Sequence, residues 1–225
     1  MQTREVIKRL KTWANPGNVA GMARFGINPQ NTLGISIPRL RALAKEIGAD
    51  HILALDLWAS GIHEARILAG MIDDPAQVTS AQMERWVKDF DSWDVCDQVC
   101  TNLFDKTRLS HRKALAWSKR KPEFEKRAGF ALMASLAWHD KTASDAAFLK
   151  FLPAIQRGAT DERNFVKKAV NWALRQIGKR SRKLNREAIR TAREIQKLDS
   201  RAARWVAADA LRELTSPAMR GRLRG

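Results

Sequence analysis

Asn164-Phe165-Val166-Lys167-Lys168-Ala169-Val170-Asn171-Trp172-Ala173-Leu174-Arg175-Gln176-Ile177-Gly178 places apolar residues at Val166, Val170, Ala173 and Ile177, in steps of four, three and four. That stride marks one face of an α-helix. Two echoes of the stretch lie nearby. Arg127-Ala128-Gly129-Phe130 resembles Lys168-Ala169-Val170-Asn171 at an offset of 41 residues, and Ala173-Leu174-Arg175 returns as Ala210-Leu211-Arg212 at an offset of 37. A period near 40 is what two helices and their turns occupy.

Outward from this stretch the helical stride persists and convincing strand alternation is absent. Helices are expected over 3–14, 38–47, 50–58, 62–72, 81–90, 93–104, 111–118, 122–138, 144–156, 162–177, 185–198 and 201–214, with Asp50 as a cap and Pro16-Gly17, Gly48 and Gly61 as breaks. Short linkers favour antiparallel neighbours. The expected fold is all-α: a HEAT-like helical-repeat solenoid, an α-α superhelix with a concave basic face. It is read as one domain over residues 1–225, with a disordered basic tail from about residue 215.

Composition removes other classes. Of 225 residues, 44% are apolar and 29% charged, which argues against both disorder and a coiled coil. No stretch approaches the roughly 20 apolar residues of a membrane span, and no apolar signal core follows the N-terminus, so the expected location is cytoplasmic and nucleoid-associated. Two cysteines rule out a disulfide scaffold. Cys96 and Cys100 read as a buried thiol pair, and the four histidines are scattered, so no metal or cofactor is expected.

The charge is lopsided. Residues 1–112 hold 14 basic and 13 acidic side chains, whereas residues 113–225 hold 27 and 11. One-sided positive charge points to a polyanion, and nucleic acid fits better than a membrane because no strongly apolar amphipathic anchor accompanies it. Lys168, Arg175 and Lys179 surround Trp172, which lies off the apolar face. An aromatic ring in a basic stripe suits nucleic acid, although a rim tryptophan packed on the next helix would look the same. Arg186, Arg190, Arg193 and Lys197 form a second stripe, opposite Ile189, Ala192 and Ile195, able to track phosphates.

Phe90-Asp91-Ser92-Trp93-Asp94-Val95-Cys96-Asp97-Gln98 is the other unusual segment. Asp91 or Ser92 can cap a helix there, and Asp94 suits its first turn. Asp97 has no such explanation. Cys96, Val99, Cys100 and Leu103 form the buried stripe, and Trp93 and Asp97, four residues apart, share its edge. The plain alternative for Asp97 is an inter-helix salt bridge. Arg127 falls on a small apolar face with Ala131, Ala134 and Trp138, where a carboxylate partner would explain it equally well.

Trp93-Asp94-Val95-Cys96-Asp97, Arg127-Ala128 and Lys167 to Arg175, with Leu33 to Arg41 at the entry, resemble the DNA alkylation repair family, the AlkD-like DNA glycosylases with HEAT-like repeats. The resemblance implies a glycosylase that excises cationic N3- or N7-alkylated purines from duplex DNA, without deep base flipping; no lysine stands in the motif at a nucleophile's position, so monofunctional hydrolysis is expected. It implies Asp97 as the catalytic carboxylate, Trp93 and Trp172 as aromatic walls, and Arg127 as a DNA contact near the lesion. A monomer with no obligate protein partner is expected. The chain has no tyrosine, so any aromatic contribution that relatives draw from an N-terminal tyrosine is absent or replaced. The alternative is a non-catalytic HEAT-like protein that binds damaged or branched DNA.

Overall fold

The computed structural model describes residues 1–223 and is all-helical among them. The chain packs as two compact units, residues 1–107 and residues from 108 onward.

The first unit comprises α1 (Thr3–Thr12), α2 (Pro16–Ala23), α3 (Ile37–Ile47), α4 (His51–Ala59), α5 (His63–Ile72), α6 (Ser80–Lys88), α7 (Trp93–Asn102) and a 3-10 turn, Phe104–Lys106. Asp50 caps α4 as expected, accepting from the Leu53 amide at 3.0 Å. Pro16 does end α1, but it also begins α2, a helix the sequence reading passed over. Its fixed φ and missing N–H suit a first turn, and the Asn15 side chain accepts from the Asn18 amide at 3.1 Å. Trp58 of α4 and Trp86 of α6 stack at 3.9 Å with planes 3° apart, and Phe90 meets Trp58 edge-on. The Trp58 indole donates to Asp89 Oδ2 at 2.8 Å, so its one polar atom is satisfied.

A long loop, residues 24–36, joins α2 to α3. Glu64 of α5 holds it. The carboxylate is buried and accepts from the amides of Leu33, Gly34 and Ile35 at 2.8, 2.6 and 3.1 Å. Gly34 has φ +77°, and a Cβ there would lie 2.3 Å from the Asn15 carbonyl oxygen, so the loop requires glycine at this point.

The second unit comprises α8 (Ser110–Trp117), α9 (Glu123–His139), α10 (Asp145–Leu149), α11 (Leu152–Gly158), α12 (Asn164–Gly178), α13 (Arg182–Gln196), α14 (Arg201–Leu214) and α15 (Pro217–Arg222). Helix α8 packs on α9, α11 on α12 and α13 on α14, while α12 also lies against α9 and α14. These stacked helical pairs are the physical basis of the offsets near 40: Arg127, Lys168 and Ala210 fall on α9, α12 and α14, the second helix of each pair.

Every residue from Arg127 to Ala137 is buried, because α9 is covered by α8 on one side and α12 on another. The expected face of Ala131, Ala134 and Trp138 therefore needs correction, since Trp138 is 54% exposed. The segment 144–156, expected as one helix, is two. Pro153 has no N–H to continue α10 and sits in the first turn of α11. Residues 217–222, expected within a basic tail, form α15, with Ser216 accepting from the Met219 amide at 3.2 Å and Met219 buried. The last two residues of that expected tail lie outside the described residues.

Gly129 lies where α9 presses against the end of α8. A Cβ there would stand 2.3 Å from the Ser118 backbone nitrogen and 2.9 Å from the Ala114 carbonyl oxygen. Backbone atoms cannot rotate away. Gly129→Ala should therefore cost about 1–3 kcal/mol despite alanine's better helix propensity, measured by denaturant unfolding. A stabilised variant would mean that the helices separate freely here.

Candidate nucleic-acid and catalytic site

In the first unit, α7 presents the unusual segment. Val95, Cys96, Val99, Cys100 and Leu103 are fully buried, so the expected stripe forms and leaves Trp93 and Asp97 half-buried along its edge. Burial, followed by Cys96, Asp97 and Asp105, pushes the Cys100 thiol well above its ordinary value. Both thiols are buried.

Ser92 stands at the cap position, but no side-chain cap bond forms. Its hydroxyl accepts from the Asn28 amide at 2.8 Å, and the Asn28 side chain donates to Asp91 at 2.7 Å. The Trp93 indole donates to the Phe25 carbonyl at 3.1 Å. Residues 91–93 thus anchor the loop after α2, and that anchoring also sets the orientation of the Trp93 ring.

Asp94 does more than the helix dipole asks of it. Its Oδ2 meets His63 Nε2 at 2.8 Å, and both side chains are largely buried. Burial opposes charge on His63, but the hydrogen bond and charge of Asp94, reinforced by Glu64 and Asp91, outweigh it and hold the imidazole above its ordinary pKa. Sequence reasoning missed this pair because its two members lie 31 residues apart on different helices. Trp93 and Asp94 also line a cavity of about 600 Å³ against α2 and the loop after it.

In the second unit, α12 carries Lys168, which is exposed, and Trp172, which is half-buried; Val166, Val170, Ala173 and Ile177 are buried as expected. Lys167 lies 5.2 Å over the ring of Trp205 on α14, adding an exposed aromatic that the sequence reading did not single out. Arg127 is only 5% exposed, and its guanidinium donates to the Phe165 carbonyl at 2.5 Å, against the first turn of α12.

The expected basic stripes divide by partner. Arg175 pairs with Asp209 at 3.0 Å and with Glu213, and Lys179 also pairs with Glu213. Burial works against ionisation of both acids. Asn171 and Arg175 at Asp209, and Lys179 and Arg175 at Glu213, outweigh it and hold both carboxyls below their ordinary values. These two cations therefore tie α12 to α14. Arg186, Arg190 and Arg193 on α13 are exposed, with Arg190 reaching Glu187 one turn away. Behind them the buried face is Leu184, Ala188, Ala192 and Ile195, so the stripe is displaced slightly from the expected one because Ile189 is only half-buried.

Among the described residues no helix is long and apolar enough to cross a membrane, and no group of three His, Cys, Asp or Glu side chains is placed to hold a metal ion.

Comparison with known proteins adds the lineage. No curated protein matches the chain. A solved structure described as "a new family of proteins related to the HEAT-like repeat DNA glycosylases with affinity for branched DNA structures" is similar with a TM-score of 0.80 at 19% identity, over 99% of this chain and 96% of that one. At that identity the likeness establishes a shared HEAT-like fold. The sequence model of the family described as DNA alkylation repair enzyme matches residues 6–214. With that match spanning both units, the chain belongs to the DNA alkylation repair enzyme family.

Proposed function

We propose that the protein is a monofunctional DNA glycosylase for cationic N3- and N7-alkylated purines in duplex DNA. The observation that carries this reading is the half-buried Asp97 on the same edge of α7 as Trp93, in a chain of the DNA alkylation repair family.

The chemistry suits a single carboxylate. Alkylation at N7 or N3 leaves the purine positively charged, so the base departs without first being protonated and a second carboxyl as acid is unnecessary. As the C1′–N bond breaks, its electron pair moves to the base, which leaves neutral, and positive charge develops on the deoxyribose. Asp97 stabilises that cation. Water then bonds to C1′ and gives up a proton to Asp97 and on to solvent. The indole of Trp93, on the same edge of α7 as Asp97, offers the cationic nucleotide a cation–π contact worth about 0.5–2 kcal/mol, and the family resemblance assigns Trp172 a like role. Arg127, being buried, acts by holding the Phe165 carbonyl in the first turn of α12, the helix that carries Lys168 and Trp172. No lysine stands beside Asp97 in the segment to form a Schiff base, which favours hydrolysis over strand cleavage. The test is chromatography of bases released from methylated duplex DNA, with 7-methylguanine or 3-methyladenine as the expected product.

The second reading is a non-catalytic protein for branched DNA, favoured by the affinity of the structurally similar proteins. It requires tight binding to a four-way junction and no released base.

Both readings need a phosphate-tracking face, and we assign it to Lys168, Arg186, Arg190 and Arg193, while Arg175 and Lys179 are taken up by their ion pairs with α14. Reversing Arg186, Arg190 and Arg193 to Glu should weaken binding to all duplex sequences alike. It should also reduce the slope of log affinity against log salt by about 2–3, near 0.9 per lost phosphate contact. An unaltered slope would take α13 off the DNA.

A further inference from the structure

The cavity beside Trp93 has a use that the glycosylase reading leaves open. Its walls are apolar, with Met22, Phe25, Ile35, Ile67 and Trp93 among them, and at about 600 Å³ it falls in the size range of small-molecule sites. Asp94 is among the lining residues and keeps one acceptor without a donor: its Oδ1 is buried and accepts no hydrogen bond, while Oδ2 is fixed by His63 Nε2 at 2.8 Å. A buried carboxylate oxygen in that condition is costly, and a ligand N–H would relieve it. The wall formed by α2 is also open. Gly21 lines the cavity, and a Cβ built there meets no atom within 4 Å.

We propose that this cavity binds a free alkylpurine base, with the ring against Trp93 and an N–H of the base donating to Asp94 Oδ1. The proposal rests on the glycosylase reading for the origin of the base but not for its binding. The common products share the required features. 7-Methylguanine carries N1–H and an exocyclic amine, 3-methyladenine carries an exocyclic amine, and each is neutral, flat and bicyclic once detached. Trp93 belongs both to the edge bearing Asp97 and to the cavity wall, so a base released beside Asp97 has only one indole to pass.

Isothermal titration of the full chain with 7-methylguanine should give saturable binding at one site. Caffeine, an N7-methylated bicycle of similar shape with no N–H donor, should bind at least tenfold more weakly. Asp94→Asn should weaken 7-methylguanine at least tenfold, since the hydrogen bond to a charged acceptor is lost. Gly21→Leu should abolish binding by filling the cavity, and leucine is the better helix former, so α2 should persist by circular dichroism. Equal affinity for caffeine, or undiminished affinity in Gly21→Leu, overturns the proposal. Base release from methylated DNA by a wild-type chain that does not bind 7-methylguanine also overturns it and leaves the glycosylase reading intact. Binding of the free base without release from DNA supports the site and removes the glycosylase reading.

Discussion

Asp97→Asn should lower the release of 7-methylguanine and 3-methyladenine from methylated duplex DNA by about 10²–10³-fold, the usual cost of removing one electrostatic stabiliser of a developing charge. Binding to the same DNA should change by no more than about twofold, because asparagine keeps the shape and removes one negative charge that repels phosphate. The separation of effects is the informative part. If Asp97 were only a structural ion-pair partner, the variant would lose stability and binding together, and release would fall only in proportion. If release is undiminished, Asp97 has no part in the chemistry and the reading built on α7 fails. Asp97→Glu is a useful companion: it restores the charge but moves it outward by one methylene, and it should recover only part of the rate.

The second large effect is on stability. Glu64→Ala should cost roughly 3–5 kcal/mol, because it removes three charge-assisted hydrogen bonds and leaves the amides of Leu33, Gly34 and Ile35 without their buried acceptor. Glu64→Gln keeps one acceptor oxygen and should lose less. The loss should appear both in denaturant unfolding and as faster hydrogen exchange at those three amides. Because the loop they anchor forms part of the cavity wall, Glu64→Ala should also weaken 7-methylguanine. Slow exchange at those amides in the alanine variant would show that some other group holds the loop. Glu64 carries no distinguishing signal in the sequence, because a glutamate in the first turn of a helix already has a sufficient electrostatic reason to be there.

Much of the architecture is legible in the sequence. Helices follow from the spacing of apolar residues, a short-range property, and Arg201–Leu214 appears with the expected limits. The buried stripe of α7, with Trp93 and Asp97 at its margin, follows from the same 100° step. The errors fall where a breaker has two meanings. Pro16 closes one helix and opens the next, and Pro153 divides a segment whose apolar stride runs through the break.

What the sequence determined by itself was therefore periodic and local: all-helical class, pairs repeating near 40 residues, the surplus of positive charge after residue 112, and the grouping of Trp93 with Asp97 and of Lys168 with Trp172. Only the tertiary structure decided which charges are neutralised and which remain outward. Arg175 and Lys179 meet acids on α14, Arg127 a carbonyl on α12, and Asp94 a histidine on α5, all more than 30 residues away in sequence. A side chain's periodicity gives the direction in which it leaves its helix, whereas its charge balance and burial depend on what the next helix brings against it. That second quantity is a property of packing, and no window of sequence contains it.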